Sequence, residues 1–224
     1  IANDYLDGER IIDNRFARVK VLESSKEDKQ LISTVENYNG GPTLLLNDKP
    51  YSPSLYLRPD LDVYRQTDAE DRISNSTYEL YITYQGCLGK SGQDELMQRD
   101  GSLDYDAFDE AIKSLLNASV DGYVMVNFGM FAPSWWMNEH PSEVSYAMDK
   151  DGRKIKGEGV SFSSELWLET SNSLLSQLIE HMKTQKYYNR VFGLRITAGQ
   201  TYEFMNYDAS GTRLPDYSDC AYTG

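Results

Sequence analysis

The feature that most constrains this chain is an alternation of two hydrophobic periods along its length. Strand-like runs at 78–84 (Tyr-Glu-Leu-Tyr-Ile-Thr-Tyr), 122–128 (Gly-Tyr-Val-Met-Val-Asn-Phe) and 191–197 (Val-Phe-Gly-Leu-Arg-Ile-Thr) are separated by helix-like stretches at 105–118 and 164–186. In the first helical stretch Phe108, Ile112, Leu115 and Leu116 recur at three- and four-residue spacing; in the second Leu168, Leu175, Leu178, Ile179 and Met182 do so. Each set lays one apolar stripe along a helix, and a sheet is a surface that buries such a stripe. Strand, helix and strand in repetition predict βαβ units and a parallel sheet, because parallel neighbours need a crossover long enough to hold a helix. Asp104 before the first helix, and Ser163 or Ser164 before Glu165 in the second, carry the short oxygen side chains that cap a helix N-terminus.

Ahead of this alternation, residues 1–41 are polar, with one alternating stretch at 16–22 and the turn Asn39-Gly40-Gly41, which predicts a small β element or linker. Residues 42–51 hold an apolar run, an Asn47-Asp48 turn and a second extended piece, the pattern of a hairpin, and a short strand at 55–57 follows. Residues 42–224 therefore read as one α/β unit. The chain starts at Ile1 without a Met and stops on Thr223 and Gly224 after a loop-like stretch, so it reads as a piece of a longer protein.

Charge and residue inventory exclude several function classes. The formal net charge of −13 repels a phosphate backbone, so nucleic acid is not an expected partner. No apolar run approaches the roughly 18–20 residues of a spanning helix, and a membrane is not an expected partner either. His140 and His181 are the only histidines, they stand far apart in sequence, and Cys87 and Cys220 lack a C-x-x-C spacing, so no metal ligand set emerges. Gly-x-Ser-x-Gly and a phosphate-binding glycine loop are both missing, which argues against a serine hydrolase and leaves no expected cofactor. The compartment is not fixed by any of these features.

In parallel α/β architectures chemistry sits at the C-terminal ends of strands, where loops vary without disturbing the packed sheet. Asn127 stands next to such an end and offers both a donor and an acceptor to a hydroxyl. The segment 129–141 that follows is crowded with aromatics, and Trp135 or Trp136 is expected to stack on a sugar, although a Trp there equally well fills a core gap. Past the strand ending at Thr197, Glu203 lies among Tyr202, Phe204 and Tyr207. Rings around a carboxyl strip its hydration and raise its pKa toward what an acid catalyst requires. By local sequence alone, a salt-bridge or loop-partner role for Glu203 is the commoner outcome.

Four stretches, together spanning about residues 40–210, resemble the N-terminal half of a clan-A glycoside hydrolase barrel, nearest to the family 42 β-galactosidases. They are Gly41-Pro-Thr-Leu-Leu-Leu-Asn-Asp-Lys-Pro, Ser102-Leu-Asp-Tyr-Asp-Ala-Phe-Asp, Ala132-Pro-Ser-Trp-Trp, and Arg190-Val-Phe-Gly-Leu-Arg-Ile-Thr-Ala-Gly-Gln-Thr-Tyr-Glu-Phe, in that order. The resemblance implies that 42–224 supplies strands 1 to 4 of a (β/α)8 barrel, with strands at 55–57, 80–84, 123–128 and 192–197. It also implies Glu203, after the fourth strand, as the general acid/base of a retaining O-glycoside hydrolase. Many clan members have Asn directly before that Glu; this chain has Tyr202, so the contact to the sugar 2-hydroxyl passes to Gln200 or Asn206. The family's nucleophile follows the seventh strand, so the resemblance places it in a C-terminal half of the barrel outside this chain. Substrate is expected to be carbohydrate and the chain alone inactive. A non-catalytic carbohydrate-binding relative of the same fold, and a non-carbohydrate α/β interaction module, are the competing readings.

Overall fold

The computed structural model describes residues 5–6, 9–12, 17–20, 29–52, 55–57, 77–83, 86–87, 95–118, 122–199, 204, 206 and 213–223. The chain is a mixed α/β protein, with one largely parallel sheet and three small antiparallel ones among the described residues. The first small sheet is formed by β1 (Tyr5–Leu6), β2 (Glu9–Ile12) and β3 (Ala17–Lys20). The next is a meander of β4 (Ser33–Tyr38), β5 (Gly41–Leu46) and β6 (Lys49–Pro50). Both of its turns are two residues long with left-handed backbone: Asn39 at φ 53° with Gly40 at 89°, and Asn47 at 49° with Asp48 at 63°. That is the geometry Asn-Gly and Asn-Asp tolerate best, and it matches the twist of the strands they join. The expected Asn47-Asp48 hairpin is therefore present. Residues 33–38, expected to go with the preceding segment, pair instead with β5, because the Asn39-Gly40 turn folds β4 onto it.

The parallel sheet contains β7 (Leu55–Leu57), β8 (Thr77–Thr83), β10 (Val124–Gly129) and β13 (Val191–Thr197), hydrogen-bonded in chain order and all parallel. The short β9 (Gly86–Cys87) turns back antiparallel on the end of β8. The strands predicted at 55–57, 78–84, 122–128 and 191–197 all fall in this sheet, residue 84 lying outside the described residues. The sheet is open among the described residues, with β7 and β13 as its edges.

Two helices cover one face. Helix α1 (Tyr105–Ala118) begins where Asp104 Oδ1 accepts from the Ala107 N–H at 3.0 Å, and buries Phe108, Ile112, Leu115 and Leu116, the stripe its sequence predicts. After β10, the six-residue α2 (Ser134–Glu139) occupies part of the segment expected to be an aromatic loop. Helix α3 (Glu165–Lys183) is capped by Ser164, whose hydroxyl oxygen accepts from the Trp167 N–H at 3.0 Å. Its buried stripe is Trp167, Ser171, Leu174, Leu178 and Met182: of the residues expected, Leu178 and Met182 are fully buried and Leu175 and Ile179 partly so, whereas Leu168 is 52% exposed. Both spacings are helical, and the buried face is centred on Leu174 and Leu178, one position away from the expected one. Helices α1 and α3 meet β10 in one core, where Val124, Val126 and Phe128 are almost fully buried. Removing each such side chain from water contributes about 1.5–3 kcal/mol.

Polar groups fix the helix pair as well. Asp109 on α1 accepts a hydrogen bond of 2.5 Å from the Tyr187 hydroxyl and lies 2.9 Å from His181 Nε2 on α3, while the Tyr105 ring stacks on His181 at 4.1 Å. Arg190 donates through Nε and Nη2 to the Gly122 carbonyl at 3.0 and 2.9 Å, tying the turn before β13 to the start of β10. Burial, and then the Asp109 carboxylate, push the Tyr187 phenol well above its usual range. Its neutral form is the one the fold accepts, so the unfolded chain releases this proton first and stability is expected to fall as pH rises above about 10. Tyr187→Phe removes the charge-assisted bond and is expected to cost about 1.5–3 kcal/mol, read from urea midpoints at constant m, and to flatten that alkaline limb. An unchanged midpoint would show that the bond contributes nothing net.

The third antiparallel sheet was not anticipated. Strands β11 (Val144–Asp149) and β12 (Lys154–Val160) form a hairpin between α2 and α3, and β14 (Arg213–Pro215) adds to β11 on its other side. The signal was present: Asp149 Oδ1 accepts from the backbones of Asp151 and Arg153, and Gly152 supplies φ 77° in the turn. The end read as a loop also carries a short helix, α4 (Asp219–Thr223).

Candidate active site

The register of the parallel sheet divides β10 into two faces. Val124, Val126 and Phe128 point to the helices, so Met125, Asn127 and Gly129 point to the opposite face. Asn127 is paired in register with Arg195 on one side and with the backbone of Tyr81 on the other, and Gly129 with Thr197 and the backbone of Thr83. The Thr197 hydroxyl lies 2.8 Å from Asn127 Oδ1 and 3.0 Å from the Phe128 carbonyl, so its single hydrogen is shared between two acceptors. Asn127 is fully buried and Thr197 nearly so. Asn127 thus stands near the C-terminal end of β10, where its carbonyl oxygen is engaged inside the sheet. Its job there is to lock β10 against β13 at the strand ends.

From that edge the chain is anchored in steps. The Met130 N–H donates to Thr197 at 2.8 Å, extending the pairing by one residue, and Trp167 Nε1 donates to the Met130 carbonyl at 3.1 Å. Glu143 accepts from the Ser164 hydroxyl at 2.7 Å, so the segment after α2 is pinned to the cap of α3. On the β13 side, Gly199 takes φ 75°, and the Phe204 N–H returns to the Ala198 carbonyl at 2.8 Å. Beyond it, Asp216 Oδ1 accepts from the backbones of Ser218 and Tyr146 at 2.9 and 3.3 Å, which sews the segment after β14 onto β11.

The expected aromatic site is rearranged. Trp135 and Trp136 are 9% and 4% exposed, and both belong to the core cluster. Trp136 packs between His140 at 4.4 Å and Trp167 at 4.8 Å, while the Arg99 guanidinium covers the Trp135 ring at 5.3 Å. Neither ring presents an open face on which a sugar can stack; α2 turns them inward because Trp167 offers an aromatic surface to bury against. The open rings are elsewhere: Phe162, which sequence reasoning passed over, and Phe204, expected only as a wall of the Glu203 carboxyl, are 46% and 58% exposed. Asn206 is half-buried, while Glu203, Tyr202 and Gln200 lie outside the described residues.

No protein-family model matches the sequence, and no curated protein is similar to it. No helix among the described residues is long and apolar enough to cross a membrane, and they contain no cluster of His, Cys, Asp and Glu able to hold a metal ion.

Proposed function

We propose that this chain supplies the first four strands of a (β/α)8-barrel glycoside hydrolase, retaining and β-galactosidase-like, with Glu203 as general acid/base. The observation that carries the reading is the strand order. Strands β7, β8, β10 and β13 follow one another in sequence, in space and in direction, as consecutive staves of a barrel do. Edge strand β13 leaves Leu194 and Ile196 40% and 36% exposed, although their register partners Val126 and Phe128 are buried. A further βα unit laid beside β13 would cover them, and the missing C-terminal half of the barrel is the partner we assign to that edge.

Glu203 is one residue from Phe204, whose backbone is tied to the end of β13. In a retaining enzyme such a residue first protonates the leaving oxygen while a second carboxylate, roughly 5–5.5 Å away, attacks the anomeric carbon; it then takes a proton from water. We place that nucleophile on a later strand. Tyr202, where many clan members have Asn, is the feature favouring the second reading, a binding relative without catalysis. Proton NMR of the intact protein acting on an aryl β-galactoside separates these. The first sugar formed is expected to be the β-anomer; an α-anomer would remove the retaining mechanism, and absence of turnover across aryl β-glycosides would leave the binding relative.

A further inference from the structure

We infer that the Asn39-Gly40 turn is a modification site: Asn39 deamidates spontaneously through a cyclic imide to aspartate and isoaspartate, and the isoaspartate makes this hairpin a substrate for a repair carboxyl methyltransferase. Asn39-Gly40 is the one Asn-Gly pair in the chain. Ring closure begins when the Gly40 backbone nitrogen, having lost its proton, attacks Cγ of Asn39. The N–Cγ bond forms, the Cγ–Nδ2 bond breaks, and the nitrogen leaves as ammonia with a proton returned from solvent. Water then opens the imide at either carbonyl, giving aspartate or isoaspartate. The step needs an attacking nitrogen that is uncrowded and unengaged, and Gly meets the first condition because it has no side chain.

The tertiary structure decides the second condition, and it separates this turn from three others among the described residues. At Asp100-Gly101 the Gly101 N–H donates to the Gln98 carbonyl at 3.0 Å, and the Asp100 carboxylate accepts from the backbone and hydroxyl of Ser102. At Asp151-Gly152 the Gly152 N–H donates to the Asp149 carbonyl at 3.0 Å. At Asn47-Asp48 the Asn47 carboxamide accepts from the Ile32 N–H at 2.8 Å, and the next nitrogen is flanked by a side chain. At Asn39-Gly40 both residues are exposed, and among the described residues neither the carboxamide nor the Gly40 N–H has a hydrogen-bond partner. Beyond its chain neighbours, no atom lies within 4 Å of where a Cβ on Gly40 would stand, so no contact opposes the rotation that brings the nitrogen onto Cγ. The product alters a sensitive place. Isoaspartate routes the backbone through the side chain and adds a methylene to a turn whose length sets the β4–β5 register. Strand β5 buries Leu45 and Leu46, and the Tyr51 N–H, bonded to the Leu44 carbonyl at 2.8 Å, seats the Tyr51 ring against Tyr123 and Phe192 at 5.4 and 6.2 Å. A slipped hairpin therefore loosens the packing at the N-terminal ends of β10 and β13.

The test incubates the intact protein in mildly alkaline buffer, folded and unfolded in guanidinium. Products are assigned to single residues by fragmentation mass spectrometry, and isoaspartate is counted by methyl transfer from S-adenosylmethionine with a protein L-isoaspartate methyltransferase. In the folded protein Asn39 is expected to show the mass gain of an amide-to-acid conversion and to take methyl label, while Asn47, Asp100 and Asp151 take none. The isoaspartyl form is expected to melt at a lower temperature than the parent. Asn39→Asp carries the same new charge without the extra methylene, and Asp tolerates a left-handed turn, so this variant is expected to keep the parent Tm. An Asn39 amide that persists in the folded protein while the unfolded chain converts overturns the proposal, because the turn then protects the site. Equal label at Asn47, Asp100 and Asp151 removes the free Gly40 amide as the cause, and an isoaspartyl form with the parent Tm removes the effect on register.

Discussion

Replacing Glu203 by Ala in the intact protein is expected to lower kcat by about 10²- to 10⁴-fold on glycosides with poor leaving groups, the range that positioned general acids contribute. The cause is the proton. An alkoxide leaving a sugar needs protonation in the transition state, whereas a dinitrophenolate departs with little help. The same variant is therefore expected to keep much more of its first-step rate on dinitrophenyl glycosides. Loss of an interaction made only in the transition state lowers kcat and kcat/KM together, so both are to be measured on both substrates. Equal losses on both would remove Glu203 from the acid role and point to a structural one. The comparison discriminates because folding defects reduce every substrate alike.

Trp136→Ala is expected to cost about 3–5 kcal/mol of stability, lowering Tm by roughly 6–20 °C for a domain of this size. Trp136 is 4% exposed and its ring lies 4.8 Å from that of Trp167, so truncation leaves a cavity where α2, α3 and the end of β10 meet. Trp167 in turn holds the Met130 carbonyl, and a loosened Trp167 frees the segment at the C-terminal edge of the sheet. A tryptophan used only as a sugar platform gives the opposite result: lost affinity with stability within about 0.5 kcal/mol of the parent, as for most surface substitutions. Thermal unfolding followed by near-ultraviolet circular dichroism separates the two outcomes.

Much of the scaffold was legible because it depends on short-range rules. Phe108, Ile112, Leu115 and Leu116 mark the buried stripe of α1 from spacing alone, and Asp104 and Ser164 mark helix starts because a short oxygen side chain satisfies an N–H that the helix cannot. The parallel sense of β10 and β13 follows equally from the helix between them. The β11–β12 hairpin was missed although its Asp151-Gly152 turn is written in the chain. Strand β12 alternates in burial, but its sequence, Lys154-Ile-Lys-Gly-Glu-Gly-Val160, is mostly charged residues and Gly and shows no apolar run to be read as a strand.

The sequence by itself determined the alternation of elements, the helix caps and the left-handed turns at Asn39-Gly40 and Asn47-Asp48. Each depends on local backbone chemistry or on period, which are properties of the chain before it folds. Only the tertiary structure decided which aromatics face solvent. Trp135, Trp136, Phe162 and Phe204 are alike in sequence as apolar rings in loops after strands. Trp136 is buried because Trp167, from a helix 31 residues later, lies within reach, whereas the Phe204 ring, 58% exposed, meets another exposed ring, Phe162, at 6.5 Å. Burial is set by what other segments bring to a position, and no local pattern encodes that.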